Sequence, residues 1–569
     1  MTHSPYALPA VVLVSLVTVA IGAYGVRLAR TTSDFLVASR SVSPRWNAAA
    51  IGGEYLSAAS FLGVAGLVMK YGVDMLWYPV GFAAGYLALQ LFVAAPLRRS
   101  GAFTIPDFTE ARLGSRALRR LAAGFVVFIG WLYLVPQLQG AGLTLGTVTG
   151  APYWVGALVV GAVVTANVAS GGMRSITFVQ AFQYWLKLTA ISFPVAFLLL
   201  AWQHDGRPAL GPPAEPAFAR ATTVRVETAV RVTVDTPTPV TVDGRPGVFR
   251  EGVQDLRAGT RVTFPAGAAV PHVEGLAARA GPAWLAPGAS GDMAGGHALF
   301  GVYSLILATF LGTMGLPHVL VRFYTNPDGA AARRTTLVVL GLLGAFYLFP
   351  TVYGALGRVY APELLMTGRT DAVVLVLPGA AVGGMTGHVL GGLVAAGAFA
   401  AFLSTSSGLM VSVAGVLSTD VVGRGSVRDF RLAALVAGLV PLFLALRVSG
   451  LDVSQVVGLA FAVAASSFCP LLVLGIWWRG LTWVGAAAGL AAGGGSAVAA
   501  VLAAIAGPPL TGWPGALVAQ PAAWTVPLAF AVMIAVSLAT RDRVPEDVGR
   551  TMLRLHAPDA LRMRVRPSA

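Results

Sequence analysis

A chain of 569 residues that is 56% hydrophobic and 11% charged, with mean hydropathy +0.74, carries more apolar surface than a water-soluble fold of this length has use for. It reads as an all-α polytopic membrane protein. The net charge of +15 is distributed over the loops between apolar runs, which points to membrane topology rather than nucleic acid, and the lone cysteine, Cys469, excludes a disulfide framework and a cysteine-based metal site.

Thirteen apolar runs of spanning length fall near 8–28, 46–69, 77–96, 121–148, 153–170, 178–202, 298–322, 335–357, 388–422, 430–447, 453–478, 481–506 and 522–539. No basic stretch precedes the first, so it reads as a retained span rather than a cleaved leader. With the N-terminus outside, the cytoplasmic loops and tail hold 25 basic residues and the short outside loops hold four; a shift of one helix would invert that ratio. The chain thus divides into an extra N-terminal helix (1–30), a first core part (31–202), an extracytoplasmic insert (203–297), a second core part (298–478), two further helices (479–540) and a basic cytoplasmic tail (541–569).

The second run carries Gly52, Gly53, Glu54, Ser57 and Ser60 at membrane depth. A charged carboxylate at a bilayer centre costs about 2.5–3.5 kcal/mol or more, so Glu54 needs a purpose. Two readings remain: a Gly-rich helix contact with Glu54 paired elsewhere, or a broken helix facing protein or a watery cavity, as in the ion and substrate sites of secondary transporters. Loop 101–120 has a proline followed by a short amphipathic helix that anchors at the interface. Gln180, Gln183 and Lys187 recur at helical spacing on one face, and Lys187 lies well inside its span. Lys187 snorkels, lines a cytoplasmic path or, the reading we favour, is structurally paired.

Within the insert, Val224, Val226, Thr228, Val230, Val232 and Val234 alternate as in a strand, which predicts a small β-rich subdomain serving as an ordered spacer. The seventh run contains Gly312, Gly315 and Pro317, which predicts a second broken helix five spans after the first. Interruptions at matching positions of two halves point to an inverted-repeat transporter. Near the end of the core, Ser404, Thr405, Ser406 and Ser407 follow one another, and Ala401, Ser404 and Thr405 share a face. Hydroxyls with a main-chain carbonyl suit a small hard cation; hydroxyls bonding back to their own helix are the plainer alternative. No enzyme constellation is present: His318 and His388 lack metal-ligand spacing, and no phosphate-binding loop accompanies them.

These stretches resemble the sodium:solute symporter family over nearly the whole chain outside 203–297. The resemblance is carried by residues 34–38, Glu54 with 55–63, 104–108, 171–174 and 312–322. Residues 55–63, 315–325 and 457–466 look most like the acetate permease branch. The resemblance implies about 13 transmembrane helices, spans two to eleven forming an inverted five-plus-five repeat with two broken helices. It implies a sodium site at the carbonyls of Gly53, Leu56 and Ala401 and the hydroxyls of Ser404 and Thr405. It places the substrate near Tyr55, Ser57, Ser60, Thr313, Met314, Gly315 and Leu316; for a short carboxylate, Gly312 and Gly315 would let backbone approach it and Phe61 and Met314 would limit its tail. Some acetate-permease relatives are apolar where this chain has Ser404 and Thr405, which favours sodium here, and the insert is larger than that branch usually carries.

The expected function is a sodium-coupled symporter of a short monocarboxylate such as acetate, propionate or pyruvate in a bacterial cytoplasmic membrane, without cofactor. Its partners are the organic anion, sodium and the bilayer, and the resemblance admits a small helical membrane protein beside it. An amino-acid, sugar or urea symporter on the same scaffold, and proton-coupled acetate uptake through Glu54, are the alternatives in transport. A sensor is the alternative from another class, and no kinase-like segment follows Thr540.

Overall fold

The computed structural model describes residues 4–26, 38, 42–210, 216–226, 229–274, 281–287, 297–422, 426–447, 453–507 and 510–558. Among these, eleven continuous helical stretches are long and apolar enough to cross a membrane. Two of the eleven each combine two of the expected apolar runs. Ala59–Phe92 turns at Gly72, whose φ of 78° needs a residue without Cβ. Tyr153–His204 would extend ~78 Å if straight, over twice the hydrocarbon thickness, and it breaks at Gly172 with φ 56° and ψ −156°. Divided there, the eleven stretches correspond to the thirteen apolar runs of the sequence.

The loops sort into two groups that touch among themselves. On one side the Trp284 indole donates to the Val68 carbonyl at 2.8 Å, and the Arg358 guanidinium lies over the Trp284 ring at 5.0 Å. The insert therefore docks on the end of the first broken helix. On the other side Arg98 donates to the carbonyls of Asn326 and Pro327, and Arg119 pairs with Asp420 and Glu110. Ile105–Leu113 is a short helix there, capped by the Thr104 hydroxyl accepting from the Asp107 N–H at 3.1 Å. Its Arg112 donates to the Gly475 carbonyl at 2.9 Å. The charge bias groups the loops in the same two sets.

The described residues of the insert hold seven strands: β1 (Thr222–Arg225), β2 (Val230–Val234), β3 (Thr238–Val242), β4 (Arg245–Phe249), β5 (Gly252–Leu256), β6 (Arg261–Phe264) and β7 (His272–Val273). They form a four-stranded sheet, β1-β6-β3-β4, and a three-stranded sheet, β5-β2-β7. Phe218, Val232, Val262 and Phe264 fill its core. The single alternating stretch expected over 224–234 is thus two strands in different sheets, with residues 227–228 outside the described set. Alternation fixes which face is buried, and Val224, Val226, Val232 and Val234 are buried; it does not fix which strand pairs with which. The tail forms a helix, Val548–His556, that buries Met552 and Leu555 and bonds His556 Nε2 to the Ile476 carbonyl at 2.9 Å.

Candidate functional site

The first interruption lies between helix Pro44–Tyr55 and helix Val64–Tyr71. Leu56 leaves the helical region with ψ 81°, the Ser57 N–H bonds back to the Tyr55 carbonyl at 2.8 Å, and residues Ala59–Gly63 form a π-helical turn. Carbonyls released by the break are buried in protein and need donors from it. They find them on two other helices. Thr405 Oγ1 donates to the Glu54 carbonyl at 2.6 Å, and Ser404 Oγ donates to the Gly53 carbonyl at 2.6 Å. From the helix beyond Gly172, Lys187 Nζ donates to the carbonyls of Gly53 and Leu56 and to Ser404 Oγ, the last two at 2.8 and 2.6 Å. Gln180 Nε2 binds the Ser404 carbonyl at 2.7 Å. Gln183, on the same helix, turns instead to Thr18 Oγ1 at 3.1 Å.

The structure thus brings together Gly53, Leu56, Ala401, Ser404 and Thr405, the five residues the resemblance implies for sodium; Ser404 Oγ also lies 3.1 Å from the Ala401 carbonyl. It places among them a cation of the chain itself. The pairing favoured for Lys187 is therefore with carbonyls and a hydroxyl rather than with an acid.

Glu54 has a different partner. Arg322 Nε donates to its Oε2 at 2.6 Å, Nη1 to Thr177 Oγ1 at 2.9 Å and Nη2 to Gln180 Oε1, and both charged side chains are buried. Arg322 ends the seventh apolar run, 298–322, and is one of the 25 basic residues counted as cytoplasmic. The structure corrects this: the same stretch continues past Pro317, and Arg322 lies buried in its short 3-10 helix, Arg322–Thr325. The cue was the uncompensated Glu54, which demanded a buried cation.

The second interruption separates Ala298–Gly315 from Pro317–Val321, with Leu316 extended at ψ 115°. Leu316 precedes the proline, whose ring disfavours the helical region for it. Gly312 and Gly315 remain helical, so they do not make the break. A Cβ on Gly312 would strike the Phe461 carbonyl and one on Gly315 the Ala464 carbonyl, both on helix Val453–Trp477. Both glycines, expected to let backbone approach a carboxylate, thus make close helix contact on the side of the missing Cβ.

The two breaks meet through Tyr55, whose hydroxyl shares a 2.9 Å hydrogen bond with Thr313 Oγ1. Around Tyr55 stand Tyr86 and Phe82, ring centroids 4.6 and 5.7 Å away, and Phe461 at 6.3 Å. Tyr133 donates to Ser57 Oγ at 3.2 Å, and Ser60 Oγ shares a 2.9 Å bond with the Tyr347 hydroxyl. Met314 is buried beside the break, whereas Phe61 packs on Phe346. Three donors around the breaks have no partner among the described residues: the Tyr86 hydroxyl, Gln137 Nε2 and the ring N–H of His318, which stands edge-on to Tyr133. The Gln137 amide is oriented by its Oε1, which accepts the Ala58 N–H at 3.0 Å and leaves Nε2 free. Past the second break, a crevice lined by Phe103, Ile105, Pro317, Val321, Val411 and Val416 runs toward the loop carrying Ile105–Leu113.

A membrane bundle with two interrupted helices joined at its centre is a secondary transporter rather than an enzyme. The model of the sodium:solute symporter family matches residues 35–203 and 291–493, and the chain belongs to that family, whose mode of transport is sodium-coupled symport. It is 31% identical to an uncharacterized symporter of Cupriavidus necator over 93% of this chain and 91% of that one. It is 28% identical to an uncharacterized symporter of Bacillus subtilis, covering 81% and 79%. Its fold is that of a Na+-coupled sialic acid symporter solved in a substrate-bound outward-open state, at 14% identity, 93% and 98% coverage and TM-score 0.61. A nucleobase-cation-symport-1 family transporter in a closed conformation is similar at TM-score 0.51, with 14% identity and coverage of 91% and 98%.

Proposed function

We propose that this symporter imports a short monocarboxylate, such as acetate, propionate or pyruvate, together with sodium across a bacterial cytoplasmic membrane, its N-terminus outside. The observation that carries the solute class is the inventory at the two breaks. Gln137 Nε2 and the Tyr86 hydroxyl are buried donors awaiting an acceptor, and they flank the interrupted residues 55–58. A carboxylate offers acceptor oxygens to such donors, and unmet buried donors are costly enough to favour it strongly. An amino acid would add an ammonium that needs an acid, and Glu54 at the break already pairs through Oε2 with Arg322, leaving only its Oε1 for such a group. A sugar would need several amides and carboxylates around its hydroxyls, where the cluster supplies tyrosines, phenylalanines and serines. The stretches 55–63, 315–325 and 457–466, which resemble the acetate permease branch, support the same reading.

The test is counterflow in proteoliposomes with labelled acids, amino acids and sugars, with and without sodium. Acetate, propionate or pyruvate should exchange, and Gln137→Glu, which still accepts the Ala58 N–H but sets a negative charge beside the solute, should reduce acid exchange at least ~10-fold, or ~1.4 kcal/mol. Exchange of proline or glucose but none of the acids would leave the transport class intact and remove the carboxylate.

A further inference from the structure

An ammonium has three protons to donate. Those of Lys187 go to the Gly53 carbonyl, to the Leu56 carbonyl at 2.8 Å and to Ser404 Oγ at 2.6 Å. All three acceptors are neutral, and the nearby carboxylate of Glu54 is turned to Arg322 at 2.6 Å. Lys187 is completely buried, so its charge is met by oxygen dipoles and not by water. These three oxygens are also three of the five that would ligate sodium. A metal ion held by the same oxygens would have to sit where Nζ sits, and two positive charges at one position are not tolerated in a medium of low dielectric constant.

We propose that sodium and the Lys187 ammonium are mutually exclusive occupants of one oxygen cage, Lys187 being a tethered cation that sodium must displace to bind. The proposal rests on the sodium coupling put forward above and is independent of the solute. It gives Lys187 two effects. The ammonium lowers the apparent affinity for sodium below what the cage alone would have, because each ion that enters must break three charge-assisted hydrogen bonds. When sodium leaves, the ammonium returns to the cage on its flexible four-carbon stem. The first interruption then stays bonded to helix Gly384–Val416 and to the helix carrying Lys187 without a bound metal.

The test reads sodium binding without any solute, so that an error in the carboxylate assignment cannot mimic its failure. The full-length protein in detergent is titrated with sodium chloride against choline chloride at constant ionic strength, and the thermal midpoint is followed. A ligand that binds only the folded state raises that midpoint saturably. Lys187→Met keeps the length of the side chain and removes the charge. Its half-saturating sodium concentration should fall at least ~10-fold below that of the wild type, including the case in which the wild type shows no sodium-specific response. Equal or weaker sodium response in Lys187→Met would overturn the proposal. If Lys187→Met cannot be isolated in either salt, Lys187→Gln, which also removes the charge, takes its place with the same expected and refuting results.

Discussion

The buried Glu54–Arg322 pair makes a quantitative prediction. At 2.6 Å and an effective dielectric constant of 20, the attraction is about 6 kcal/mol. Each ion loses several kcal/mol of hydration on burial, so the pair nets little as a whole. Breaking it is another matter. Arg322→Met strands the Glu54 carboxylate where its Oε1 already has no partner among the described residues, and it frees Thr177 and Gln180 from their guanidinium bonds. The expected loss is ~3–5 kcal/mol. Glu54→Gln strands Arg322 and should cost a similar amount. The double variant, Glu54→Gln with Arg322→Met, removes both charges and should recover at least ~2 kcal/mol of the summed losses. Equilibrium unfolding of the four proteins in mixed micelles gives the coupling energy directly. A double variant whose loss equals the sum of the singles, to within ~0.5 kcal/mol, would refute the reasoning and show that the two charges are compensated separately.

Gly315→Val should abolish uptake while membrane insertion persists, because its Cβ would overlap the Ala464 carbonyl on a backbone that cannot step aside; normal uptake in reconstituted vesicles would contradict that packing. Replacing residues 216–274 by a short Gly/Ser linker should leave solute preference unchanged, since that segment contributes no residue to either break. Trp284→Ala, in contrast, removes an indole held by the Val68 carbonyl and stacked under Arg358, and should cost about 3 kcal/mol in the same unfolding assay. A loss of preference in the first variant, or no loss of stability in the second, would reverse the roles assigned to the two parts of the insert.

The sequence alone determined the spans, the grouping of loops and the existence of two interruptions. Each is a local consequence of the bilayer: apolar length, arginine at the water boundary, and proline or polar groups where a helix should run unbroken. Family resemblance added the oxygens that gather at the first break, since Ser404 and Thr405 stand one turn from Ala401 whatever their partners. Which groups meet those oxygens was not local. Arg322 reaches Glu54 across 268 positions, and Lys187 reaches Gly53, Leu56 and Ser404 across 134, 131 and 217. No periodicity encodes such pairings. Hydropathy could say only that a carboxylate and an ammonium at membrane depth need compensation, and left the partner of each open. The tertiary structure decided it: a planar guanidinium, with its fork of donors, lies against the carboxylate, Thr177 and Gln180, and the compact ammonium has the carbonyls of the broken helix. The glycines of the second break were decided in the same way, because a missing Cβ reads alike in sequence whether it makes room for a ligand or for another helix, and only the position of Phe461 and Ala464 tells the two apart.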